Sequence, residues 1–157
     1  MPDLDRDLSG PTDADRRWLT AAIELSRRSP RTPTNYAVGA VVVGPDGTVL
    51  STGYTGETGP RDHAEEAALA KAAGRELSRA TIYSSLEPCT TRSSRPGTCT
   101  DLILAAGLRR VVIALREPLL FADCHGVATL RAGGAEVNEI ADLGRLVREI
   151  NSDVLGS

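Results

Sequence analysis

Apolar positions first recur at helical spacing. Trp18, Leu19, Ala22, Ile23 and Leu25 follow Thr12 and a first turn rich in acids. Thr12 therefore reads as an N-cap, and the helix it opens ends near Arg28, ahead of Pro30 and Pro33. The pattern then changes to that of strands. Residues 37–43 are a run rich in β-branched side chains, Gly44-Pro45-Asp46-Gly47 carries turn chemistry, and residues 48–54 resume as a strand, which predicts a hairpin. A polar loop over 55–62 leads into His63-Ala64-Glu65-Glu66-Ala67-Ala68-Leu69-Ala70-Lys71, rich in helix formers and closed by Gly74. Residues 80–86 predict a third strand, 90–98 a Ser/Thr/Arg/Pro/Gly loop, and 99–106 a helix stopped by Gly107. A fourth strand over 110–115, a helix from about 126 to 131, a short strand over 136–138 and a helix over 143–150 complete the chain.

Strands and helices alternate after the hairpin, which implies parallel pairing and a sheet covered on both faces. The expected fold is an α/β protein, a three-layer α/β/α sandwich with a central mixed five-stranded sheet. Residues 1–11 read as a flexible tail and 12–157 as a single domain. In such folds the strand-to-helix turns gather ligands at the carboxyl ends of the strands.

With 157 residues, 41% of them hydrophobic, the chain can bury a real core. A net charge of −3 lacks the basic footprint that a polyphosphate binder needs, so no nucleic-acid partner is expected. The first residues do not resemble a signal peptide, and the longest apolar run, 37–43, is too short to span a bilayer. The expectation is a cytoplasmic protein with no membrane partner. Three cysteines and two histidines, Cys89, Cys99, Cys124, His63 and His125, are all that soft metal chemistry has to work with. An odd cysteine count in such a chain favours metal or catalytic roles over a disulfide framework.

Three pieces carry chemistry: His63-Ala64-Glu65, Glu87-Pro88-Cys89, and Cys99. His63 and Cys99 both fall at predicted helix starts, where unpaired N–H groups and partial positive charge favour thiolate over thiol. One imidazole and two thiolates leave a fourth zinc position for water, whose pKa the metal lowers towards neutrality. Glu65, beside the metal but not bound to it, could carry the water's proton to a leaving amine. His-x-Glu followed by Pro-Cys-x-x-Cys is the zinc-deaminase signature, although here nine residues separate the two cysteines.

On these residues the chain resembles the cytidine-deaminase-like zinc deaminases. The long insertion between the cysteines, flanked by Leu86-Glu87-Pro88-Cys89 and Cys99-Thr100-Asp101-Leu102-Ile103-Leu104-Ala105-Ala106-Gly107, is similar to the deaminase domain of bifunctional riboflavin-biosynthesis enzymes. The resemblance runs from about Asn35 to Val137. It implies Zn2+ held by His63, Cys89 and Cys99, Glu65 as proton shuttle, a small-molecule substrate contacted by Asn35 and Ala64, and a homodimer. The expected activity is hydrolytic deamination of a diaminopyrimidine nucleotide, with Arg92 and Arg95 as candidate phosphate ligands and His125 as a further substrate contact. In a chain of this length the reductase domain that usually follows is not expected. Tyr36 stands where the family pattern has proline, Ala67 where it has a second histidine, and the loop over 90–98 has no histidine. These departures favour the alternative of a cytosine nucleoside, deoxycytidylate or guanine deaminase. A non-enzymatic alternative is a structural zinc module in which Cys124 or His125 supplies a fourth ligand.

Overall fold

Thr12 opens the first helix as the capping pattern predicts. Its hydroxyl accepts from the Asp15 N–H at 3.1 Å, and Asp15 Oδ2 accepts from the Thr12 N–H at 2.9 Å. The reciprocal pair satisfies two donors at the helix start. Helix α1 spans Asp13–Leu25 and ends in a 3-10 turn, Ser26–Arg28. These elements belong to a computed structural model that describes residues 11–30, 36–59, 62–88, 98–115 and 126–152.

Strands β1 (Gly39–Val43) and β2 (Val49–Tyr54) form the expected hairpin. Its turn is closed by Gly44 N–H donating to Thr48 O at 2.8 Å, with Gly47 at a φ of 84°. Strand β1 begins later than the apolar run suggests. The Ala37 N–H donates to Asn151 Oδ1 at 2.6 Å and the Val38 N–H to Thr55 Oγ1 at 3.0 Å, so side chains take those donors in place of a neighbouring strand. The remaining elements are α2 (Ala64–Lys71), β3 (Thr81–Ser84), α3 (Cys99–Ala105), β4 (Arg110–Ile113), α4 (Gly126–Ala132), β5 (Glu136–Glu139), a 3-10 turn (Ala141–Leu143) and α5 (Gly144–Ile150).

The strands form one five-stranded sheet in the order β2-β1-β3-β4-β5. β1 is antiparallel to both β2 and β3, while β3, β4 and β5 run parallel, so the sheet is mixed as expected. Alternation along β1 sends Ala40 and Val42 to one face and Val41 and Val43 to the other. On the first face they join Ile82, Val111 and Ile113, covered by Ala64 and Ala68 of α2, Ile103 of α3, and Val127 and Leu130 of α4. On the second face Tyr83 and Val112 meet Leu19, Ala22 and Ile23 of α1 and Val147 and Ile150 of α5, with Trp18 packed alongside. Helices on both faces explain why every residue of β1 is buried. No described helix is long and apolar enough to cross a membrane.

One polar link crosses from α1 to the sheet. Arg110, at the start of β4, forks onto Asp15 through bonds of 2.8 and 2.7 Å, and the Tyr83 hydroxyl donates to Asp15 Oδ1 at 2.7 Å. Burial alone would raise the Asp15 carboxyl. The Arg110, Tyr83 and Thr12 donors outweigh it and lower the pKa to about 2 from an ordinary 3.8. A carboxyl depressed on folding stabilises the native state above its unfolded pKa and stops doing so as pH falls through its folded value. Asp15→Asn should therefore destabilise the protein by roughly 2 kcal/mol at neutral pH. In denaturant titrations over a pH series, the gap from wild type should shrink below about pH 4 and close near pH 2. A gap independent of pH would mean that the ionised carboxylate is not what stabilises this contact.

Candidate active site

The site is assembled from three places where chain enters or leaves the sheet. His63 occupies the N-cap of α2, in extended backbone, and its N–H donates to Glu66 Oε1 at 2.8 Å. Glu66 thus fixes the helix start from its own first turn. Cys99 is the first residue of α3. Thr98 caps that helix, with its hydroxyl accepting from the Asp101 N–H at 3.2 Å. The two starts meet: His63 Nδ1 lies 3.1 Å from Cys99 Sγ. Glu65, one residue into α2, brings a carboxylate oxygen to the same place, and the three donor atoms lie within 4.8 Å of one another. Among the described residues, this is the one group of three or more His, Cys, Asp and Glu so arranged.

Close approach of backbone makes the meeting possible. A Cβ on Gly53 of β2 would collide with the Ala64 carbonyl oxygen and the Ala68 nitrogen, so glycine lets the first turns of α2 lie directly on the strand. Gly126, which opens α4, does the same against the Pro88 carbonyl. There Glu87 ties the approach to position 89: its N–H donates to Leu115 O at 2.8 Å and its Oε2 accepts from the Val127 N–H at 2.8 Å. Glu87 and Pro88 are both buried, so the chain is held in place as far as residue 88.

Glu65 is 3% exposed and Cys99 is fully buried. The Ser84 hydroxyl, at the end of β3, lies 2.7 Å from Glu65 Oε2. Burying a carboxylate is costly unless it is hydrogen-bonded or paired. A cation beside His63 and Cys99 would supply such a pairing. The donor set fits zinc. Bonds of about 2.0–2.1 Å to imidazole nitrogen and 2.3 Å to thiolate, at a tetrahedral angle, put the two ligand atoms roughly 3.5 Å apart, so a small outward shift from the 3.1 Å seen here would admit the ion.

Of the residues singled out from sequence, His63, Glu65 and Cys99 are brought together. Ala64 is fully buried, with its methyl in the apolar cluster under the sheet. Cys89, Asn35, Arg92, Arg95, Cys124 and His125 lie outside the described residues. Sequence reasoning passed over Ser84 and the anchoring role of Glu87. The second had a signal, a carboxylate directly before Pro88-Cys89.

Comparison with known proteins agrees with this geometry. Residues 12–115 match the family model described as the cytidine and deoxycytidylate deaminase zinc-binding region. The chain is 37% identical over 142 residues to riboflavin biosynthesis protein RibD of Aquifex aeolicus, covering 90% of this chain and 38% of that protein. Among solved structures it is similar to a diaminohydroxyphosphoribosylaminopyrimidine deaminase/5-amino-6-(5-phosphoribosylamino)uracil reductase from Thermotoga maritima. The TM-score is 0.78 at 33% identity, over 90% of this chain and 40% of that one. The Rib2 deaminase of Aspergillus oryzae, a C-terminal deletion mutant solved in complex with DARIPP, gives a TM-score of 0.79 at 25% identity and covers 92% of each chain. The chain spans about a third of the length of the curated relatives it matches, 31% and 38% in two of them.

Proposed function

The chain belongs to the cytidine and deoxycytidylate deaminase zinc-binding family, and from that membership we propose that it is a zinc-dependent hydrolytic deaminase of a riboflavin-pathway diaminopyrimidine nucleotide. The observation that carries this reading is the 3.1 Å approach of His63 Nδ1 to Cys99 Sγ with the Glu65 carboxylate beside them. His63, Cys89 and Cys99 would hold the ion and leave one position for water. The ion, when bound, polarises that water and makes hydroxide available near neutrality.

The chain's own residues do the rest. Glu65 takes the proton of the attacking water and delivers it to the ring's exocyclic nitrogen, so that ammonia rather than amide anion leaves. Its burial keeps that proton between water and amine instead of losing it to solvent. Ala64, fully buried, would meet the substrate through its backbone, since the first N–H groups of a helix have no partner within it. Asn35, Arg92, Arg95 and His125 are the proposed remaining contacts, with the two arginines as candidate phosphate ligands because a guanidinium can fork onto a phosphate. Relatives named for riboflavin biosynthesis support the diaminopyrimidine nucleotide as substrate. A homodimer belongs to the same reading, and an odd count of three cysteines, which argues against a disulfide framework, supports a cytoplasmic setting.

A second reading, deamination of a cytosine nucleoside or deoxycytidylate, is favoured by position 67. There the riboflavin-type pattern has a histidine, and this chain has a buried alanine whose methyl packs against Gly53.

Ammonia release decides between them on a panel of the diaminopyrimidine nucleotide, its dephosphorylated analogue, cytidine, deoxycytidylate and guanine. Turnover of the nucleotide should fall at least about a hundredfold in Glu65→Gln, which keeps the shape of the side chain but carries no proton. A panel on which wild type releases no more ammonia than Glu65→Gln would sink the proposal.

In the same assay Arg92→Ala or Arg95→Ala should raise KM for the nucleotide by about ten- to hundredfold, as expected for a lost charged hydrogen bond, while sparing the dephosphorylated analogue. If the variants treat both compounds alike, the loop does not grip a phosphate and the second reading becomes the better one.

A further inference from the structure

Ser84 is the last residue of β3 and is fully buried. Its backbone is fixed from both sides, paired with Ala40 of β1 and Ile113 of β4. Alternation places its side chain on the same face as Ile82, the face covered by Ala64 and Ala68 of α2. An apolar β-branched residue would suit that central position better, and a buried hydroxyl is costly without a partner. Ser84 has two: its Oγ lies 2.7 Å from Glu65 Oε2 and 2.8 Å from Leu86 O.

A serine hydroxyl has one proton to give and lone pairs to accept. Facing a carboxylate and a carbonyl, it gives that proton to the carboxylate, the stronger acceptor. With Oε2 occupied by the serine, a proton taken from water goes to the other carboxyl oxygen of Glu65, and Oε2 remains an acceptor for the Ser84 hydroxyl. The Ser84–Glu65 bond therefore survives both halves of a proton transfer with its direction unchanged.

We propose that Ser84 is a positioning residue, whose hydroxyl holds the Glu65 carboxylate in one orientation beside His63 and Cys99 while a proton is taken up and handed on. The inference rests on the reading of Glu65 as proton shuttle. Crystal structures of wild type, Ser84→Ala and Ser84→Thr, together with steady-state kinetics and zinc analysis of each, test it. Glu65 should hold one orientation in wild type and Ser84→Thr, and be displaced or split in Ser84→Ala. In Ser84→Ala kcat should fall about ten- to hundredfold, as for loss of a hydrogen bond to a charged group, with KM and zinc content kept. Ser84→Thr, which restores a hydroxyl on a strand-favouring side chain, should recover most of that loss. Glu65 unmoved in Ser84→Ala, or kcat within twofold of wild type, overturns the proposal. If wild type itself turns over nothing on the panel, the shuttle reading fails, and the orientation of Glu65 in the crystals still decides whether Ser84 positions it.

Discussion

Two helices have to start at the same point in space: His63, capping α2, and Cys99, opening α3, are 36 residues apart in sequence and 3.1 Å apart at their donor atoms. Much of the surrounding structure serves that constraint. α2 can reach the point only because Gly53 lets it lie against β2 without a side chain between them. α3 is held to the same face of the sheet by Ile103, which shares a buried cluster with Ala68 of α2 and with Ala72 at its C-cap. β3 ends there too, bringing Ser84 to Glu65 and passing the chain on through Glu87 and Pro88, which are clamped between Leu115 and the start of α4. Two apolar clusters, one on each face of the sheet, hold these elements in place.

Burial then gives the site its chemistry. A thiol, an imidazole and a carboxylate placed together away from water are unfavourable unless each has a partner. A divalent cation would satisfy the first two, and the Ser84 hydroxyl holds the third at 2.7 Å. In such an enclosure a proton passes between neighbouring groups rather than into bulk solvent, which suits a reaction whose leaving group must be protonated before it departs. Another buried carboxylate, Asp15, shows the contrasting use. Forked by Arg110 and bonded by Tyr83, it is locked in its ionised form and joins α1 to the sheet.

Most of the fold was legible in the sequence because its signals are local. The Thr12 cap, the Gly-Pro-Asp-Gly turn, and glycines closing α2 and α3 with φ of 87° and 89° all appear where pattern and turn chemistry place them. Boundaries moved where a distant side chain intervened. Asn151, 114 residues along the chain, takes the Ala37 N–H and shortens β1, a contact that no window around residue 37 reveals. The candidate metal ligands stood out for another reason: cysteine and histidine are few in this chain, three and two, and His63, Cys89 and Cys99 fall in an order that zinc chemistry explains. What was not legible is partnership across the sheet. Ser84 meets Glu65 over 19 residues and Arg110 meets Asp15 over 95. Each looks ordinary in its own segment, a small polar residue ending a strand and a charge beginning one, and only the register of β3 and β4 gives them their partners.

The central claim is that two thiolates and one imidazole hold a zinc ion that keeps a position open for water. X-ray absorption at the zinc edge tests it most directly, on purified protein carrying about one zinc per chain as a single three-ligand site allows. The account predicts a first shell of two sulfur atoms and two lighter donors, with one sulfur lost in Cys99→Ser if any metal remains. A third sulfur, such as Cys124 would supply in a closed structural site, or a chain that retains no zinc, would contradict it.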